Sequence, residues 1–200
     1  MTTPVDLATR RRAQILDAAE RLIHHYGHAK TTVAEIAREA GVSVGSVYLE
    51  FAAKDAIWIE LSHRRHESVL TAMRNAAQTP RRYYAQRLHG VLLARTRAFL
   101  ALADGGTHAA ELVHCHACPA IREAQEQYRR RERELVADLL RDADAAGEFL
   151  IEDPLATAAV LLQAVVGFAP PLVFGRPREN LEPELAALHH LLVHGLVRPG

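Results

Sequence analysis

Three observations predict an all-α fold. Ala, Leu, Arg and Glu dominate long stretches of the 200 residues, and only 11 Gly and 9 Pro interrupt them; the four are strong helix formers. Apolar residues recur at spacings of three and four, the period of a helix with one buried face. No run alternates apolar and polar residues between hairpin turns, the signature of a half-buried sheet. Hydrophobic residues at 49% and charged residues at 24% are ordinary for a globular chain. This length buries one sizeable core or two small ones.

The first helix is predicted over Thr9–Tyr26, where Ile15, Ala19, Leu22, Ile23 and Tyr26 fall on one stripe and Gly27 is a natural stop. A short helix follows at Thr32–Ala40, with Thr32 as cap and Glu35 completing a capping box. Gly41 interrupts, Ser43 offers a new cap, and a second short helix runs through Tyr48–Phe51. A long amphipathic helix covers Ala53–Gln78 and ends before Thr79-Pro80. Further helices are predicted at Arg82–Leu102, Thr107–Cys115, Pro119–Ala146, Pro154–Phe174 and Glu182–Val197. The breaks between them are "ADGG", "AAGEF" and "GRPREN".

The chain carries 24 basic and 24 acidic side chains and no net charge. Composition therefore gives no support to nucleic-acid binding, and such a function must rest on local pattern. The start, "MTTPVDLATRRRAQ", has no apolar segment after its charges, so no secretory signal is expected. Two cysteines without one suggest a reducing cytosol and no disulfide framework. The uncharged run at 154–175 is long enough to span a bilayer. Gln163, Pro170-Pro171 and its many alanines point instead to a deep core or a subunit interface.

Residues 31–51, "TTVAEIAREAGVSVGSVYLEF", meet the steric demands of a helix-turn-helix. Ala37 allows the two helices to approach, Gly41 sits where the turn needs a positive φ, and Ile36, Val42 and Val47 are spaced to fill the wedge. A plain αα-corner shares these features. The outward face of the second helix favours DNA, because Ser43, Val44, Gly45, Ser46 and Tyr48 are small or hydrogen-bonding groups in place of a solvating coat of Lys and Glu. Arg10, Arg11 and Arg12 form a basic cluster at the start of the first helix.

Over Arg10–Trp58 the pattern T-x-x-x-I-A-x-x-A-G-V-S-x-G-x-x-Y-x-x-F-x-x-K closely resembles the DNA-binding domain of TetR-family transcriptional regulators. The remainder agrees in length and helical content. The resemblance implies a three-helix DNA-binding domain at 1–54 and a helical ligand-binding and dimerisation domain at 55–200. It implies phosphate contacts from Thr32, Tyr48 and Lys54, and a recognition surface of Ser43, Val44, Gly45, Ser46 and Leu49. It also implies a homodimer on a pseudo-palindromic double-stranded operator, most simply a repressor released by a small molecule. Helix 154–174 and the stripe Leu185, Leu188, Leu192 and Leu196 would form the dimer interface. Many members have His before the Phe where this chain has Glu50, and a carboxylate there repels phosphate.

Phe99, His114, Cys118, Tyr128 and Phe168 are candidate effector contacts, being aromatic or polarisable on otherwise apolar segments. The segment "ELVHCHACPAIRE" brings His114, Cys115, His116 and Cys118 together, which suits zinc, copper or thiol chemistry. Pro119 redirects the chain there, and no second C-x-x-C or H-x-x-x-H completes a tetrahedral set. No metal or cofactor is assigned. With no G-x-S-x-G, phosphate loop or H-E-x-x-H, no enzymatic role is expected beyond a metal-dependent bundle built on that segment.

Overall fold

A computed structural model of the chain describes residues 4–104, 108, 113 and 119–195. Every regular element in them is helical: α1 (Pro4–Lys30), α2 (Val33–Glu39), α3 (Val44–Glu50), α4 (Lys54–Gln78), α5 (Tyr84–Ala103), α6 (Pro119–Ala145), α7 (Pro154–Ala164) and α8 (Arg178–His194). Two single 3-10 turns, Val166–Phe168 and Leu172–Gly175, lie between α7 and α8. Among the described residues, no helix is long and apolar enough to cross a membrane. Of the predicted helix over Thr107–Cys115 only His108 and Val113 are described, and the stripe residue Leu196 lies outside the described residues.

Contacts divide the chain into two compact units, the described parts of 1–66 with 102–126 and of 67–101 with 127–200. The first unit is built on one apolar cluster. Ile15, Leu16, Ala19 and Ile23 of α1 meet Ile36 and Ala37 of α2, Val47 and Phe51 of the α3 region, and Ile57, Trp58 and Leu61 of α4. Of the predicted stripe on α1, Ile15, Ala19 and Ile23 pack here and Leu22 lies at the edge, whereas Tyr26, just before the break at Gly27, is 56% exposed. Gly27 takes φ 76° and breaks the helical path, although hydrogen-bonded turns continue to Lys30. Buried Thr31 donates its hydroxyl to the Gly27 carbonyl at 2.8 Å, securing that break. Arg65, 4% exposed, bonds Glu20 at 3.0 Å and the Leu102 carbonyl at 3.3 Å.

In the second unit, Leu88, Val91, Leu92 and Phe99 of α5 are buried, as are Tyr128, Val136, Leu139 and Leu140 of α6. A charged pair sits on these same apolar faces: Arg95 Nε donates to Glu132 at 2.5 Å, with both side chains almost wholly enclosed. The Tyr128 hydroxyl also donates to Glu132. Burial, reinforced by that carboxylate, pushes the Tyr128 hydroxyl well above its ordinary range. Gly147, at φ 72°, closes α6.

Two predicted boundaries need correction. The helix expected to run from Pro154 to Phe174 stops at Ala164. Pro170 has no N–H to bond back into the turn, and Ala169 before it is extended at φ −127°, ψ 160°. Asp153 caps the helix that remains, accepting from the amides of Leu155 and Ala156 at 3.0 Å each. At the other end of the chain, α8 begins at Arg178, ahead of the predicted Glu182, and takes in Pro183.

Burial lowers the pKa of His24 in the first unit and of His89 and His189 in the second. Arginines near His24 and His89, and His89 beside His189, push the same way. Unfolded histidine titrates near ~6.5, so on acidification the unfolded chain takes up protons first. Stability is then full above about pH 6.5 and is lost as the pH falls below it. The melting temperature is expected to be lower at pH 5.5 than at pH 7.5. The drop should be smaller in the His89→Gln/His189→Gln double variant, which a thermal melt followed by circular dichroism measures.

Candidate nucleic-acid interface

Local chemistry fixes both short helices. Thr32 caps α2: its hydroxyl accepts from the Glu35 amide at 3.3 Å, and its own amide donates to the Glu35 carboxylate at 2.8 Å. Those hydrogen bonds hold the Glu35 carboxyl below its usual range. After α2 the chain turns through Gly41 at φ 67°, with Val42 N–H returning to the Ala37 carbonyl at 3.0 Å. A β-carbon on Gly41 would meet no atom within 4 Å, so the left-handed backbone and not space demands glycine. Ser43 caps α3, accepting from the Ser46 amide at 3.0 Å.

The seven-residue α3 is too short to persist alone. Val47 and Phe51 anchor it by lying in the core below, while Ala37 is buried at the crossing with α2. Its opposite face is open. Ser43, Val44, Gly45, Tyr48 and Leu49 are exposed, Leu49 by 80%, and Ser46 is half-buried. Six of the eight residues named as DNA contacts from sequence therefore share one surface. Lys54, at the start of α4, holds its Nζ 5.4 Å from the Trp58 ring centroid. Thr32 is exposed, but its hydroxyl and amide both bond Glu35, so a phosphate contact requires that hydroxyl to turn outward.

Glu50 faces away from this surface. Its side chain is 12% exposed and accepts from Arg11 Nε at 2.8 Å. Arg12 donates to the Glu50 carbonyl at 2.8 Å, reaches Glu60 at 3.2 Å, and lies 4.2 Å from the Phe51 ring centroid. Two of the three arginines in the basic cluster thus grip the C-terminal end of α3. The Glu50 carboxylate, which stands where the resemblance led one to expect histidine, thus has an internal partner. The sequence offered no cue to this, because the partners are 39 residues apart.

Of the candidate effector contacts, Phe99 and Tyr128 are buried and meet edge to face at 5.8 Å between centroids. Phe168 is buried too, and its carbonyl accepts from the Thr96 hydroxyl at 3.4 Å. His114 and Cys118, with Cys115 and His116, lie outside the described residues. Beside Phe99 stands Arg95, which was not singled out from sequence: its Cζ is 5.5 Å from the Phe99 ring. The signal was present, since Arg95 follows Val91 by four residues and precedes Phe99 by four, on the apolar stripe itself. An open groove of about 390 Å³ elsewhere in this unit is lined by Arg74, Arg87, Arg131, Glu134, Asp138 and Leu135, among others. None of Phe99, Tyr128 and Phe168 borders it. Among the described residues, no three His, Cys, Asp or Glu side chains are grouped to hold a metal ion.

Two short capped helices, a glycine turn and an open face on the second make a helix-turn-helix, an arrangement that many proteins use to enter a DNA groove. Comparison with known proteins agrees. The family model described as bacterial regulatory proteins, tetR family, matches residues 15–61. The HTH-type transcriptional regulator TtgR of Pseudomonas putida is 44% identical over 57 residues, which are 28% of this chain and 27% of that protein. The match thus spans about a quarter of the curated relative's length. Among solved structures, the transcriptional regulator FadR from Bacillus subtilis, in complex with stearoyl-CoA, has a TM-score of 0.70 at 21% identity, over 92% of this chain and 99% of that one. A transcriptional regulator of the TetR/AcrR family from Thermobifida fusca has a TM-score of 0.69 at 24% identity, over 94% and 100%. The likeness to these two structures is one of fold. Residues 15–61 are thus similar in sequence to the tetR family of bacterial regulatory proteins, and the whole chain is similar to its solved members in fold.

If Arg11 and Glu50 hold α3 in place, removing the carboxylate loosens one end of it. Glu50→Ala is expected to lower stability by about 1 kcal/mol, as for a favourable, partly enclosed ion pair. Urea denaturation measures this, and Arg11→Ala should cost no further stability in the Glu50→Ala background.

Proposed function

We propose that this chain is a repressor that binds a pseudo-palindromic double-stranded operator as a homodimer and is released by a small molecule. The observation that carries this reading is the exposed face of α3, where Val44, Tyr48 and Leu49 stand clear of a core that already holds Val47 and Phe51. Exposed apolar groups beside small polar ones suit contact with thymine methyls and base edges in a major groove. Residues 1–54 take the DNA-binding role, with Tyr48, Lys54 and Thr32 on phosphates and Ser43, Val44, Gly45, Ser46 and Leu49 reading the groove. Residues 55–200 take the effector and dimer roles.

Support for a dimer comes from α7 and α8. Leu155 and Val160 on α7 and Leu191 and Leu192 on α8 are exposed, Val160 by 71%. Large apolar side chains gathered on two helices are what an obligate interface buries. The effector reading rests on the buried Phe99–Tyr128 contact with the Arg95–Glu132 pair beside it, aromatic and polar groups of the kinds that ligand sites use. FadR of Bacillus subtilis, of similar fold, was solved with stearoyl-CoA. At 21% identity that likeness is one of fold, and the chemistry of that ligand does not carry over.

Selection of bound sequences from a random DNA pool with the full chain should enrich a palindrome; a pool without enrichment would sink the proposal. On that DNA, Tyr48→Ala is expected to weaken binding by about tenfold, ~1.4 kcal/mol, with an unchanged melting temperature. If the dimer neutralises about 6–10 phosphates, affinity falls steeply with salt, as a fluorescence anisotropy titration would show. Val160→Asp places a charge in the proposed interface. Light scattering should then report a monomer, with operator binding lost alongside.

A further inference from the structure

Beyond the DNA-binding and effector readings, the second unit holds a pair of histidines that neither uses. His89 on α5 and His189 on α8 face one another with ring centroids 5.0 Å apart and ring planes at 55°. The Nε2 atom of each is buried and has no hydrogen-bond partner among the described residues. A buried ring nitrogen normally finds a partner, so two neighbouring orphans are notable. His189 also hydrogen-bonds the backbone of Ala85. With Nδ1–H as that donor, Nε2 keeps its lone pair. A backbone carbonyl holding Nδ1–H so that Nε2 is free is how proteins orient a metal-binding imidazole.

The spacing fits the same chemistry. A metal ion bound tetrahedrally at about 2.1 Å from two Nε2 atoms sets the imidazole centroids about 5 Å apart. We infer that His89 and His189 form a two-imidazole clasp for a borderline divalent ion such as Zn²⁺ or Ni²⁺, joining α5 to α8, with water completing the coordination. Imidazole favours these ions over Mg²⁺ or Ca²⁺. The surroundings keep the ligands in the form a metal needs. Burial lowers the pKa of both rings; Arg81 and Arg97 act on His89 in the same direction, and Glu182 opposes them. His89, His194 and His190 act likewise on His189. Glu182 is engaged by Arg97 through two hydrogen bonds of 2.7 Å, so the site is built on the histidines alone.

Calorimetric titration of the full chain with ZnCl₂ and NiCl₂, and with MgCl₂ as the hard-ion control, tests the clasp. The expected result is one Zn²⁺ or Ni²⁺ per protomer at this site and no heat from Mg²⁺. His89→Gln and His189→Gln should each weaken that binding at least tenfold, whereas His190→Gln and the Cys115→Ser/Cys118→Ser double variant should leave it unchanged. Binding that survives both His89→Gln and His189→Gln, or that vanishes with the cysteines, overturns the assignment; so does wild-type protein that takes up neither ion. Should a variant fail to fold, long-range ¹H–¹⁵N spectra of the wild-type chain decide the matter. Zn²⁺ must shift the Nε2 resonances of both histidines, and unmoved signals refute the clasp.

Discussion

A helix of seven residues cannot hold itself, and the exposed face of α3 depends on that constraint being met. Nucleating a helix costs more than two turns return, so α3 is fixed by its surroundings at both ends and in the middle. Ser43 satisfies one of the first free amides, Val47 pins the centre into the core, and Phe51 seats the last turn. At that last turn Arg12 donates to the Glu50 carbonyl, placing a cation where the helix presents its negative end. Arg11 takes the Glu50 carboxylate. With the inner face and both ends held, the outer face is free of structural duty.

The same arrangement bears on how a neutral chain serves the proposed DNA-binding role. A basic run at the start of α1 invites assignment to phosphates, yet Arg11 and Arg12 are engaged by Glu50 and Glu60. Arg21 pairs with Glu39, Arg64 with Asp17 and Arg65 with Glu20. Much of the charge of the first unit is therefore spent within it. Such pairs add little stability each when exposed, but they lower the general attraction to any polyanion and leave discrimination to the shape and chemistry of one helix face.

In the second unit the buried Arg95–Glu132 pair plays a comparable structural part. Enclosing two charges is costly unless each finds its partner, and the gain over an apolar pair is small. What the pair does enforce is register, since α5 and α6 can meet in one alignment only if Arg95 is to reach Glu132 and Tyr128 is to reach the same carboxylate. Phe99 and Tyr128 are held edge to face by that alignment.

Much of the first unit was legible in the sequence because its signals are local. The capping box joins Thr32 to a residue three positions on, Ser43 does the same with Ser46, and Gly41 announces a backbone angle that neighbouring residues cannot easily adopt. Periodicity exposed most of the core of α1, Tyr26 excepted, and Pro170 marked a break, although the helix before it already ends at Ala164. The partner of Glu50, the pairing of Arg95 with Glu132 and the meeting of His89 with His189 were not legible. Each joins side chains whose closeness is set by how helices far apart in sequence pack, and no local preference records that distance. The sequence by itself determined an all-helical chain with a capped helix-turn-helix and its outward residues. Only the tertiary structure decided which charges are spent inside and which groups are left with nothing to bind, because partnership is a matter of spatial distance and not of sequence spacing.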